Sequence, residues 1–170
     1  MPRIHFIEGP VGAGKSTYAK AMAAKGGFPH IALDAWFACL FSPDRPQADF
    51  VSWYMARKNR LLALILNHAR ELLAANMDVA LELGMIQRAP RQAVLRELQQ
   101  AGIAFTVHFL DAPLAIRRER VRQRNVVQGA TFSMVVPDHV FEMASALWEP
   151  PDDAELANYD CVLPTATAGI

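Results

Sequence analysis

The chain has 170 residues, 52% of them apolar and 20% charged, with 17 basic and 17 acidic side chains. That length and composition predict one globular domain, spanning the whole chain and able to bury a core without staples, and exclude a low-complexity or disordered chain. The formal net charge of zero gives no sign of a nucleic-acid or anionic-membrane partner.

Cys39 and Cys161 have no metal-ligand spacing and read as two reduced thiols. Arg3 leads straight into a strand-like run, with no leader-type apolar segment. The apolar stretch 61–66, between Arg60 and His68, is too short to span a bilayer. A cytoplasmic protein without membrane contact is the expectation.

The first predicted strand is 4–8, and the stretch after it holds Gly9, Pro10, Val11, Gly12, Ala13, Gly14, Lys15, Ser16 and Thr17. Residues 15–24 are helix-forming rather than strand-forming, so these glycines do not turn a hairpin. Positions 9–16 satisfy G-x-x-x-x-G-K-[ST] between a strand and a helix. Glycines permit close backbone approach, loop N–H groups converge on a phosphate chain, and the helix N-terminus adds positive potential. Lys15 then reaches the β- and γ-phosphates and the Ser16 hydroxyl ligates Mg²⁺.

A second strand is predicted over 31–34, ending at Asp34, where ligands gather in parallel α/β sheets. Asp34 is a candidate general base, or the N-cap of the next helix. Six of the fifteen aromatics fall within 34–54, predicting an aromatic-rich cap over about 35–60. These rings either line that cap or simply pack two helices together. A long helix is predicted next, over about 47–75, with Asn76 as its stop. The third strand, 79–83, carries Glu82, either a member of the metal's outer shell or a plain strand end. Arg88 and Arg91 come after it as weaker candidates for clasping an acceptor or its product phosphate, and a helix is predicted over 90–101.

The fourth strand, 105–110, leads to Asp111 and Pro113, which read as a structural helix start. Arg117, Arg118, Arg120, Arg122 and Arg124 lie on the helix predicted over 113–124. Steps of three and four put Arg117, Arg120 and Arg124 on one face and leave Arg118 and Arg122 on a solvated one. Such a run is often only a wet surface. Here it precedes a short polar loop, so 117–136 is a candidate lid that closes over the nucleotide. A helix over 137–147 and a fifth strand over 161–163 complete the alternation, which predicts an α/β fold with a mainly parallel sheet covered on both faces.

GPVGAGKST, Asp34, the R-x-x-x-R of Arg120 and Arg124, and FEMASALWEPP near the end resemble small P-loop kinases, among them AAA_33-type ATP-binding proteins. That group is similar to polynucleotide 5′-kinase, gluconate kinase, chloramphenicol phosphotransferase and zeta-toxin kinases. The resemblance spans nearly the whole chain, with the phosphate loop its one highly specific motif. It implies a P-loop NTPase fold of the nucleoside-monophosphate-kinase type: a three-layer sandwich around a five-stranded parallel sheet, with cap and lid. It also implies ATP and Mg²⁺ as cofactors, Asp34 as acceptor-side base, and Arg120 and Arg124 as lid arginines. Two departures stand out. Glu82 occupies a position where many relatives carry aspartate, and a fuller hydrolytic Walker-B aspartate is missing.

The expected activity is transfer of the ATP γ-phosphate to a hydroxyl of a small-molecule acceptor. A nucleic-acid 5′-hydroxyl kinase shares the same catalytic parts, but neutral charge and four lysines argue against a phosphate-backbone track. A nucleotide-dependent switch or ATPase would need a water-positioning residue and switch loops that the sequence does not offer, and nothing in a single sequence tests a toxin-type kinase. The acceptor, the choice between ATP and GTP, and the oligomeric state stay open.

Overall fold

The computed structural model describes residues 1–129 and 132–164. Five strands, β1 (Ile4–Glu8), β2 (His30–Ala32), β3 (Val79–Glu82), β4 (Phe105–Phe109) and β5 (Cys161–Val162), form one sheet in the order β2-β3-β1-β4-β5. All four pairings are parallel, and Glu8 stands opposite Phe109 at the carboxyl end of the β1–β4 pair. The order reverses direction at β1, which puts the ligand crevice of such a sheet beside the loop that leaves β1.

Among the described residues, seven α-helices separate and flank the strands: α1 (Lys15–Gly26), α2 (Leu33–Phe41), α3 (Phe50–Ala74), α4 (Arg88–Gln100), α5 (Leu114–Val127), α6 (Asp138–Ala146) and α7 (Asp153–Asn158). Alternation along β1 sorts its side chains by face. Ile4 and Phe6 join a core with Leu61, Ile65 and Ala69 of α3 and Leu95 and Leu98 of α4, while Ile7 packs with Ala19 of α1 and Leu110. The two cores make the layered α/β arrangement expected of a buried parallel sheet. No helix among the described residues is long and apolar enough to cross a membrane.

The second strand is shorter than 31–34 and ends at Ala32. Leu33 and Phe37 are buried on α2, so helical spacing of two apolar anchors prevails over strand pairing from Leu33 onward. Phe37 packs against Phe41, Trp53 and Tyr54, and Phe50 against Trp53 and Tyr54. The aromatics of the cap therefore join α2 to α3. Asn76 takes a left-handed φ of 61° just past the end of α3, the stop its type suits. Helix α7, absent from the expectation, opens with Asp152 accepting from the Glu155 amide at 2.8 Å.

Candidate active site

The loop from β1 to α1 closes on itself and on α5. Gly9 has φ 148° and Gly12 φ 81°, and a side chain at either would strike backbone, the Leu110 carbonyl in one case and the Arg117 carbonyl in the other. Only glycine meets both demands. Helix α1 begins after Gly14 with no side-chain cap, which leaves its first-turn N–H groups to an anion. Lys15 Nζ donates to the carbonyls of Gly9 and Pro10 at 2.9 and 3.0 Å, so its ammonium lies over the loop itself.

Ser16 Oγ donates to Glu82 Oε1 at 3.0 Å. The other carboxylate oxygen, Oε2, is buried 3.3 Å from His30 Nε2, and neither atom has an aligned hydrogen-bond partner. Burial alone would raise the Glu82 pKa, but His30, Lys15 and Ser16 outweigh it and hold the carboxyl below its usual range. A hydroxyl and an ionised carboxylate meeting at the foot of the loop suit Mg²⁺, which takes one or two protein oxygens and keeps water and phosphate for the rest. The donor set fits the metal, and Glu82, the last residue of β3, stands beside Ser16.

Asp34 lies in the first turn of α2, not at a strand end, and Ala32 holds the N-cap position. Its capping role is therefore corrected. The side chain is open to solvent yet hemmed in by the cleft walls; a methyl added to Gly84 would lie 3.8 Å from its Oδ2. The surrounding protein raises its pKa by desolvation, Lys58, Lys15 and Arg124 oppose that rise, and Glu82 adds to it. Tyr54 is pushed up to about 12 by burial and by Asp34.

The arginine run divides three ways. Arg117 is buried, donating to the carbonyls of Ala112 and Val11 and to Ser145 Oγ, and so fixes α5 to the phosphate loop. Arg118 and Arg122 are not simply solvated: each forms a 2.7 Å ion pair with α6, to Glu142 and Asp138. Arg120 reaches the loop, where a methyl on Gly14 would lie 3.8 Å from its Nη1. Arg124 Nε is buried without a hydrogen-bond partner, and the group interacts with Asp34 and Glu82. Of the lid expected over 117–136, the stretch to Val127 continues α5. Asn125 then bridges to Val136 through both of its amide atoms, and residues 130–131 lie outside the described residues.

Two candidates leave the site. Arg91 is fully buried in an ion pair with Glu155, and Arg88 pairs with Asp152 at 3.1 Å. Neither is placed to clasp an acceptor. Asp111 accepts from the Ala112 amide next to it, and Pro113, not Asp111, precedes the first residue of α5. One residue enters unanticipated. Glu8, the residue before Gly9, is buried with neither oxygen in an aligned side-chain hydrogen bond, and burial pushes its pKa up to about 8 against the pull of Lys15, Arg91 and the Met85 amide. An acidic residue closing an apolar strand immediately before Gly9 was the available signal.

Residues 4–151 match the AAA_33 family model, described as an AAA domain. No curated protein matches the chain in sequence. Among solved structures, the chain is similar to a sugar kinase from Janibacter sp. HTCC2649, with 16% identity, 96% of this chain and 85% of that one covered, and a TM-score of 0.60. It is similar to a gluconokinase from Sinorhizobium meliloti 1021, with 21% identity, 95% and 81% covered, and a TM-score of 0.54. A candidate kinase from Chloroflexus aurantiacus j-10-fl gives 16% identity, 96% and 84% covered, and a TM-score of 0.70. At such identities the likeness is one of fold, and the fold is that of small P-loop kinases.

Proposed function

The chain belongs to the AAA_33 family, and from that premise we infer that it is an ATP-dependent phosphotransferase acting on a hydroxyl of a small-molecule acceptor. The observation that carries the reading is the phosphate loop with Ser16 bonded to Glu82 at 3.0 Å and the exposed Asp34 carboxylate close to Gly84, two residues on from Glu82. The loop amides and Lys15 hold the β- and γ-phosphates. Ser16 and Glu82 would hold Mg²⁺, whose charge offsets that of the phosphate oxygens. Asp34 takes the proton from the acceptor hydroxyl as its oxygen bonds to the γ-phosphorus and the bond to the ADP oxygen breaks. Arg120 and Arg124 donate to the phosphoryl oxygens where charge builds.

The test is transfer of labelled phosphate from ATP to a panel of hydroxyl-bearing metabolites and 5′-hydroxyl oligonucleotides, with Lys15→Ala as the control. Label entering a small molecule, and none with the control, supports the reading. Label entering oligonucleotides alone replaces it with an end kinase, and release of inorganic phosphate alone replaces it with an ATPase. Mg-ATP that fails to raise the melting temperature of the wild type would remove nucleotide binding altogether.

A further inference from the structure

Glu82 has a polar neighbour on each side. On one, Ser16 Oγ gives its proton to Oε1 at 3.0 Å. On the other stands His30. The register of β2 on β3 puts Ala32 opposite Glu82 and His30 opposite Ala80. Alternation sends Ile31 and Leu81 into the core with α3, so His30 and Glu82 share the other face as diagonal neighbours on adjacent strands. His30 Nε2 lies 3.3 Å from Glu82 Oε2, with the two side chains only 9% and 14% exposed. Both atoms are shut off from solvent, and the pair lacks alignment rather than reach. The imidazole thus lies against the one carboxylate oxygen that Ser16 leaves over.

We propose that His30 is a positioning residue for the metal-side carboxylate: its Nε2–H holds Glu82 Oε2, so that Oε1 stays turned toward Ser16 and the cation. This rests on the kinase reading, in which Ser16 and Glu82 hold Mg²⁺. A carboxylate oxygen has two lone pairs, and Oε1 gives one to the Ser16 proton, leaving the other for the cation or its water. A carboxylate held at Oε1 alone can swing about that bond, whereas a second donor at Oε2 fixes its plane. Ligating carboxylates are commonly held in this way by a further hydrogen bond. The Nε2–H is present in one neutral tautomer and in the imidazolium alike, so the contact does not rest on a protonation change. The competing role for His30 is packing, in which the ring merely fills space beside β3.

The two roles separate on a matched pair of amides. In His30→Gln the side-chain NH₂ reaches the place of Nε2, and in His30→Asn it falls short of it. ADP affinity is measured first by calorimetry with a chelator present, and Mn²⁺ is then titrated into the ADP-loaded protein and followed by electron paramagnetic resonance. His30→Asn should weaken Mn²⁺ by about tenfold, the lower end for loss of such a partner, and leave metal-free ADP binding unchanged. His30→Gln should recover most of that loss. In a Glu82→Gln background, where the carboxylate is already gone, His30→Asn should change nothing further. Wild-type Mn²⁺ affinity in His30→Asn overturns the proposal, as do equal losses in the two amides or an additive loss in the double variant. Weaker metal-free ADP in His30→Asn would assign the ring to packing. Mn²⁺ held no more tightly by the loaded wild type than by ADP in solution would remove the metal site and the proposal with it. Failure of the wild type to bind ADP would be a failure of the kinase reading, visible before any metal is added.

Discussion

Arg91 is fully buried and Arg124 half-buried with its Nε shut off from solvent, yet only Arg91 is satisfied. Arg91 gives Nε and Nη2 to the two Glu155 oxygens at 2.6 and 2.9 Å, Nη1 to the Met85 carbonyl and Nη2 also to that of Glu149. Arg124 keeps a buried Nε with no partner. The same contrast separates the surroundings of the phosphate loop from those of Arg91. Around the phosphate loop the unpartnered buried atoms include those of Glu8, Glu82, His30 and Arg124; near the C-terminal tie they are Arg88 Nε and Trp148 Nε1. Native interiors leave few such groups, because each costs about 1–3 kcal/mol. More of them lie beside the loop than beside Arg91, whose own donor atoms all have partners.

The most forceful way to break this division is Asp34→Asn. If Asp34 belongs to the ligand-facing group, kcat with the acceptor from the screen falls about 10²–10⁴-fold, the range for a lost general base, with nucleotide affinity and melting temperature retained. A loss of only a few-fold would move Asp34 to the structural side. Arg91→Ala should do the reverse, lowering unfolding free energy by about 3–5 kcal/mol because Glu155 is left buried and unpaired. Urea denaturation measures it, and replacing both partners with Met and Leu should recover most of the loss. An Arg91→Ala protein of wild-type stability would show that complete pairing is no sign of structural duty.

Arg124→Ala comes next: kcat about 10²–10³-fold lower, as for a lost transition-state donor, with stability within about 0.5 kcal/mol. Parallel losses in nucleotide affinity and rate would make it a ground-state anchor instead. The gentlest test is a pH profile of stability without nucleotide. The folded pKa of Glu8, about 8 against an ordinary 4.5, is raised, so its contribution is whole below 4.5 and is lost as pH rises through 8. His108 sits 3.2 Å from His5 and its pKa is lowered to about 4 from 6.5, chiefly by burial. Its contribution is whole above 6.5 and is lost as pH falls through 4. Glu8→Gln, a neutral isostere, should therefore flatten the melting-temperature profile between pH 5 and 8 and leave the acid limb alone. Superimposable profiles would mean that the Glu8 carboxylate is already ionised and balanced by Lys15 and Arg91.

The phosphate loop and the five strands were legible because their signals are local: glycines at fixed spacing, and apolar runs between helical patterns. Arginine roles were not. Arg117, Arg120 and Arg124 share a helix face, yet one holds the loop by the Val11 carbonyl, one reaches toward Gly14 and one interacts with Asp34 and Glu82. Which donors are used depends on partners from α6 and the loop, at separations of up to 106 residues. Glu82 was ambiguous for the same reason, since its partner Ser16 lies 66 residues away. The Asp152 to Glu155 spacing that opens α7 was a local signal, D-x-x-E, and was readable.

The Arg91 network also sets a condition on how the chain is made. Its carboxylate partner arrives 64 residues later, and Glu155 lies beyond residue 151, where the family match stops. A nascent chain that has emerged only as far as the matched region holds β1 to β4 and a guanidinium with nothing to neutralise it. Burying that group without Glu155 would cost more than leaving it in water, so the α4 side of the core depends on α7. Emergence of Glu155, rather than completion of the phosphate loop, becomes the event that satisfies Arg91. A chain cut at the family boundary would keep every residue proposed to hold the nucleotide and lose the carboxylate that pairs Arg91 of α4.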